Sequence, residues 1–220
     1  MTTIFFIFPR SIRKAFLHRI STKPNKRSDM TKIILASASP RRKELLKQLI
    51  GDNFQVFTSS YGEERVERVT PEELVTHHSL EKARDVAGNF RDGVIIAADT
   101  VVVCGDEVLG KPENGDVARE MLRRISGQQI QAITGITVFD IGRDRELTQY
   151  ETTRIWISDL TEKEIDSYVG TGEPFGKAGS FAIQGKGADF VERIEGDLSN
   201  VVGLPLPVLK EMLVELDKEN

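Results

Sequence analysis

The chain has 220 residues, 30 Lys or Arg against 34 Asp or Glu, and a formal net charge of -4, a length sufficient for one well-buried globular unit, which is the expectation. A globally acidic body does not advertise nucleic-acid binding, and a single cysteine, Cys104, excludes an internal disulfide and any cysteine-rich metal centre. His18, His77 and His78 form no ligand set, because adjacent helical residues do not share a face and His18 lies far upstream.

Residues 1–29 form a basic leader. Its first 28 positions carry seven Arg or Lys and no acid. The apolar run in it is too short to span a bilayer, and the charges follow that run, which fits a mitochondrial transit peptide better than a secretory signal. An untargeted disordered tail is a second reading, and a product starting at Met30 a third. The expected location is cytoplasmic, or mitochondrial if the leader is a transit peptide. The remaining residues, 30–220, are expected to form one domain.

Ile33 to Ala36 is uncharged and β-prone and predicts a buried strand. Ser39 is a good N-cap and Pro40 suits the first helical position, so a helix begins at the Ser-Pro step. Its first turn carries Arg41, Arg42 and Lys43 against the positive end of the dipole, where acids are normally favoured. Ser37, Ser39, free helix-start amides and two guanidiniums together suit a phosphate. A basic helix whose arginines face water is the alternative.

Phe54 to Thr58 reads as a strand, and a polar connector carrying Glu63 and Glu64 leads to Thr70-Pro71-Glu72-Glu73, a capping box that starts a helix running to Ala87. Lys82 and Arg84 lie on that helix, where a solvated face is the ordinary reading. Gly93 to Ala98 is apolar, followed by Asp99-Thr100 and then Val101 to Val103. An acid in so hydrophobic a run either ends a strand at a turn or exposed edge, or is held inside opposite cations.

Gly105-Asp106 turns a hairpin between Val101 to Val103 and Glu107 to Leu109, ending at Gly110-Lys111-Pro112. Gly105 to Lys111 mimics P-loop spacing, but Pro112 occupies the Ser or Thr position and two acids would repel phosphates, so the P-loop is rejected. A helix over Gly115 to Ile125, strands over Gln128 to Phe139 and Leu147 to Ile157, and a capped helix from Thr161 to Val169 are scaffold. Gly170 to Gly187 is glycine-dense yet holds Phe175, Phe181 and Ile183, so it suits close approach to a ligand better than a floppy loop. Ala188 to Ile194 reads as a strand, Asn200 to Leu204 as an extended piece and Pro207 to Glu215 as the closing helix.

The ordered set S-A-S-P-R-R, A-A-D-T, G-K-P, G-K-A-G-S-F-A-I-Q-G and N-V-V-G-L-P-L resembles the Maf family of nucleoside triphosphate pyrophosphatases, from Thr31 to about Leu213. The resemblance implies an α/β fold: an elongated mixed β-sheet flanked by helices, in two lobes around a central cleft. It implies hydrolysis of a nucleoside triphosphate between the α and β phosphates with a divalent cation, Mg²⁺ or Mn²⁺, and a possible homodimer. By position, the catalytic acid falls on Asp99, the phosphate-side cations on Arg42, Lys82 and Lys111, and the metal ligands on Glu64 and Asp99. Arg41, Thr100 and Gln184 match the subgroup acting on dTTP and UTP; modified pyrimidine nucleotides are a possible extension. Tyr61-Gly62 before the acidic pair, and Gly176 before Lys177, depart from the usual family pattern. The partners implied are a nucleoside triphosphate, with no nucleic acid and no membrane. A nucleotide-binding regulator of cell division without turnover is the alternative function.

Overall fold

The computed structural model describes residues 32–62, 66 and 68–218. The leader, Met30, Glu63 and Glu64 lie outside the described residues. Strands β1 (Ile33–Leu35), β2 (Gln55–Val56), β3 (Val94–Cys104), β4 (Glu107–Leu109), β5 (Gln129–Asp140), β6 (Arg145–Ile157) and β7 (Val191–Glu195) join in one sheet of order β2-β1-β3-β5-β6-β7, with β4 paired to β3. Pairing is parallel for β2-β1 and β1-β3 and antiparallel for the rest. Helices α1 (Pro40–Ile50), α2 (Pro71–Ala87), α3 (Gly115–Ile125), α4 (Glu162–Val169), α5 (Leu198–Val202) and α6 (Leu206–Leu216) flank it.

β3 is the axis of the sheet. Its whole length pairs with β5, from Val94↔Asp140 to Cys104↔Ile130. On its other edge, β1 covers only Val94 to Ile96 and β4 only Val102 to Cys104. The stretch 97–101 of that edge has no ladder partner in either strand, so the chain opens there into a cleft.

Side chains alternate along a strand, and along β3 that alternation separates the cores. Val94, Ile96 and Ala98 pack with α1 and α6, while Val102 and Cys104 on the same face pack with α3 and α4. On the opposite face Ile95 and Ala97 join Ala83, Val86 and Ala87 of α2, and Val101 and Val103 join Val75 at its other end. Asp99 and Thr100 stand at the seam on both faces. Two lobes thus meet at the one polar pair in β3.

Helix α2 approaches the sheet closely because Gly135 of β5, directly opposite Asp99, has no side chain. A Cβ there would lie 2.2 Å from the Val75 carbonyl oxygen. The buried positions Val75, Ser79, Lys82 and Val86 make one stripe at helical spacing, and Ser79 bonds Thr137 at 2.9 Å. Lys82 therefore points into the sheet, whereas Arg84 faces out and pairs with Glu146.

Of the two readings of Asp99, the structure takes the one held inside opposite a cation: β3 runs through it without a break and Lys82 pairs with it. Two sequence expectations change. The segment read as extended at 200–204 is mostly helical, because Asp197 caps α5 by accepting from the Ser199 amide and Gly203 ends it at φ 114. The strand expected from Ala188 starts at Val191, with a 3₁₀ turn over Lys186–Phe190 before it.

Candidate functional site

A cavity of about 720 Å³ opens at the seam, and its wall includes Ser37, Ser39, Arg41, Arg42, Lys82, Asp99, Thr100, Lys111 and Gln184. Every site residue expected from the sequence lies on it except Glu64, which falls outside the described residues. Tyr61, Glu173, Lys177 and Gly203 also line it and were not expected.

The α1 end is built first by capping. Ser39 accepts from the Arg42 amide, Pro40 opens the helix, and no acid occupies the first turn. Its neighbour Ser37 accepts from the Ser39 amide at 3.2 Å. Arg42 then folds back across the cleft: Nε donates to the Gly203 carbonyl at 2.7 Å and one terminal nitrogen donates to Thr100 Oγ1 at 3.0 Å. Thr100 in turn shares a 2.9 Å bond with Thr134, whose hydroxyl donates to the Asn200 carbonyl at 3.2 Å. Arg42 is thus a fixed charge and not a water-facing one; Lys43, by contrast, is exposed.

On the α2 face, Lys82 Nζ sits 2.6 Å from Asp99 Oδ1, with side-chain exposures of 11% and 10%. A buried carboxylate needs such a partner, since an uncompensated buried charge costs several kcal/mol. The Ser-rich connector closes the same side. Asp85 accepts from the Ser59 hydroxyl, the Ser60 hydroxyl and the Ser60 amide, and those bonds hold its carboxyl below the usual range. Tyr61 follows, its hydroxyl 3.1 Å from His78 Nδ1.

The far wall is the glycine-rich loop. The Gly179 amide donates to the Gly110 carbonyl at 2.9 Å, joining that loop to the turn that carries Lys111. Burial pulls the Arg41 guanidinium below its ordinary pKa, with Tyr168 acting the other way, and its buried Nε has no hydrogen-bond partner among the described residues. Burial, then the charge of Arg41, pulls Lys177 down as well. An orphan donor and two crowded cations are what an anionic or carbonyl-bearing ligand would relieve.

Among the described residues, five basic side chains (Arg41, Arg42, Lys82, Lys111, Lys177) and two acids (Asp99, Glu173) line the cavity. Among the described residues, no group of three or more His, Cys, Asp or Glu side chains could hold a metal ion. A hard divalent cation still fits Asp99 as one oxygen donor, because Mg²⁺ keeps several waters and takes substrate phosphates with only one or two protein carboxylates.

Together these features define an α/β protein whose cavity, among the described residues, carries more cations than acids, with the Asp99 carboxylate paired to Lys82. The chain belongs to the Maf-like protein family, whose model matches residues 32–216. It is 54% identical over 184 residues to a dTTP/UTP pyrophosphatase of Methanosarcina barkeri, covering 84% of this chain and 93% of that protein. A dTTP/UTP pyrophosphatase of Ruminiclostridium cellulolyticum is 45% identical over 192 residues, 86% of this chain and 98% of that protein. Among solved structures, a HAM1 protein from Coxiella burnetii matches with a TM-score of 0.49 and 15% identity, over 84% of this chain and 100% of that chain.

Proposed function

We propose that this protein hydrolyses dTTP and UTP to the nucleoside monophosphate and pyrophosphate. The observation that carries the reading is the Lys82–Asp99 pair, buried at the centre of β3 and facing a cavity whose other charges are mostly positive. A triphosphate brings about four negative charges, which need several cations or a metal. Arg42 and Lys111, with the serine-rich start of α1, bind phosphate oxygens. Water attacks the α-phosphorus, forming the new P–O bond as the bond to the β-phosphate bridging oxygen breaks. Asp99 takes the proton of that water, and Lys82 holds the carboxylate in place. No covalent nucleophile is needed.

Asp99, together with Glu64, would hold Mg²⁺ or Mn²⁺, and the ion would supply positive charge to the phosphate oxygens. Gln184, on the cavity wall, reads the pyrimidine: its amide offers a donor to O4 and an acceptor to N3–H. Arg41 and Thr100 complete that selection, Thr100 by fixing Arg42 and Arg41 by its unpaired Nε.

The 1–29 and 30–220 division, cytoplasmic or mitochondrial residence, and a homodimer belong to the same proposal. Among the described residues no helix is long and apolar enough to cross a membrane.

A panel of nucleoside triphosphates with Mg²⁺, assayed for pyrophosphate release, tests the activity and the base preference together. Turnover led by UTP and dTTP is the expected result. Binding without release of pyrophosphate from any nucleotide would favour the regulator of cell division instead.

A further inference from the structure

Gln184 is an exposed residue of a glycine-rich loop, and a base reader needs a fixed backbone. Two side chains supply it from behind. Tyr168, at the end of α4, is 3% exposed and packs edge-on against Phe190, ring centroids 4.9 Å apart. Its hydroxyl accepts from the Ala182 amide at 3.1 Å and donates to Glu173 Oε1 at 3.1 Å. The Glu173 carboxylate also accepts from the Lys186 amide at 3.1 Å and from the Gly187 amide at 3.0 Å. The backbone is therefore tied on both sides of Gln184, at residue 182 by the phenol and at 186 and 187 by the carboxylate.

Two glycines make the closure possible. Gly185 has φ +110, and a Cβ on it would meet Glu173 Oε2 at 2.7 Å; one on Gly187 would meet the Ala182 carbonyl oxygen at 2.4 Å and the Tyr168 hydroxyl at 2.8 Å. The loop wraps onto the Tyr–Glu pair as closely as backbone allows. Burial first, then the Glu173 charge, pushes the Tyr168 phenol well above its ordinary pKa, so it stays a donor.

We propose that Tyr168 and Glu173 are positioning residues for Gln184, and that the bonds they make to the loop set the preference for pyrimidine over purine nucleotides. This rests on Gln184 reading the base. The bonds of this brace end on the loop that carries Gln184, and coupling to Gln184 separates them from a general contribution to folding.

The test is a double-mutant cycle on base selectivity, read as the ratio of kcat/KM for UTP to that for ATP. Tyr168→Phe and Glu173→Gln each lower the ratio about tenfold, mainly through a higher KM for UTP, and amides 182 to 187 exchange hydrogen faster. In a Gln184→Ala background, Tyr168→Phe lowers the ratio no further, because both changes remove one contact. If Gln184→Ala lowers the ratio while Tyr168→Phe and Glu173→Gln leave it at the parent value, the brace is overturned and base reading stands. If Gln184→Ala leaves the ratio unchanged, base reading itself falls and the proposal falls with it. Equal loss of kcat for UTP and ATP in the brace variants, additive with Gln184→Ala, would show a merely structural role and also overturn it.

Discussion

Lys82 Nζ and Asp99 Oδ1 meet at 2.6 Å, one reaching down from α2 and the other standing at the midpoint of β3. Both side chains are nearly buried, so each is the other's main compensation among the described residues. Lys82→Met strands the carboxylate and is expected to lower unfolding stability by about 3 kcal/mol. Adding Asp99→Asn should restore much of that loss. Chemical denaturation of the two single variants and the double variant measures the coupling, and additive losses would show that the pair is not coupled. Asp99→Asn alone should lower kcat by roughly 10³-fold, about 4 kcal/mol of transition-state stabilisation.

Gly203 ties α5 to α1. Its carbonyl holds Arg42 Nε at 2.7 Å, its φ is +114, and a Cβ there would lie 3.3 Å from that Nε and 3.4 Å from Thr100 Oγ1. Gly203→Ala should therefore cost about 2 kcal/mol of stability through backbone strain and raise KM for UTP by displacing the guanidinium. Thermal melting and steady-state kinetics read the two effects separately.

Gln184→Glu replaces the amide donor to O4 with a carboxylate that cannot donate. Turnover of UTP and dTTP should fall at least tenfold, roughly the value of one good hydrogen-bond match. Unchanged turnover of both would move base reading to another residue.

The connector 59–61 depends on the charge of Asp85. Its carboxyl is held below the ordinary value of 3.8 by the Ser59 and Ser60 hydroxyls and the Ser60 amide. A depressed folded pKa means the contribution is complete above 3.8 and is lost as pH falls through the lower folded value. Asp85→Asn should melt below the parent protein at pH 7, and the difference should shrink as the pH falls below 3.8. A constant difference from pH 7 to pH 2 would remove Asp85 from the account.

Much of this site was legible locally. The N-cap at Ser39, the proline after it and a first turn without acids are neighbours in sequence, and they place Arg41 and Arg42 without reference to the rest of the chain. Lys82 could not be told from Arg84 that way, because which helical face is buried depends on Gly135 in a strand more than forty residues on. A lone glycine in a β-prone run was the available sign of close backbone approach. The apolar 200–204 segment misled because strand and buried helix look alike over so few residues; the capping acid Asp197 was the counter-signal. Tyr168 and Glu173 offered no sign at all. Their role comes from amides at 182, 186 and 187 that fold back on them.

Hydrolysis of UTP in H₂¹⁸O tests the central claim most directly. Attack at the α-phosphorus puts the label in UMP and leaves pyrophosphate unlabelled, with the reaction abolished or nearly so in Asp99→Asn. Label in pyrophosphate, or UDP and inorganic phosphate as products, would contradict it.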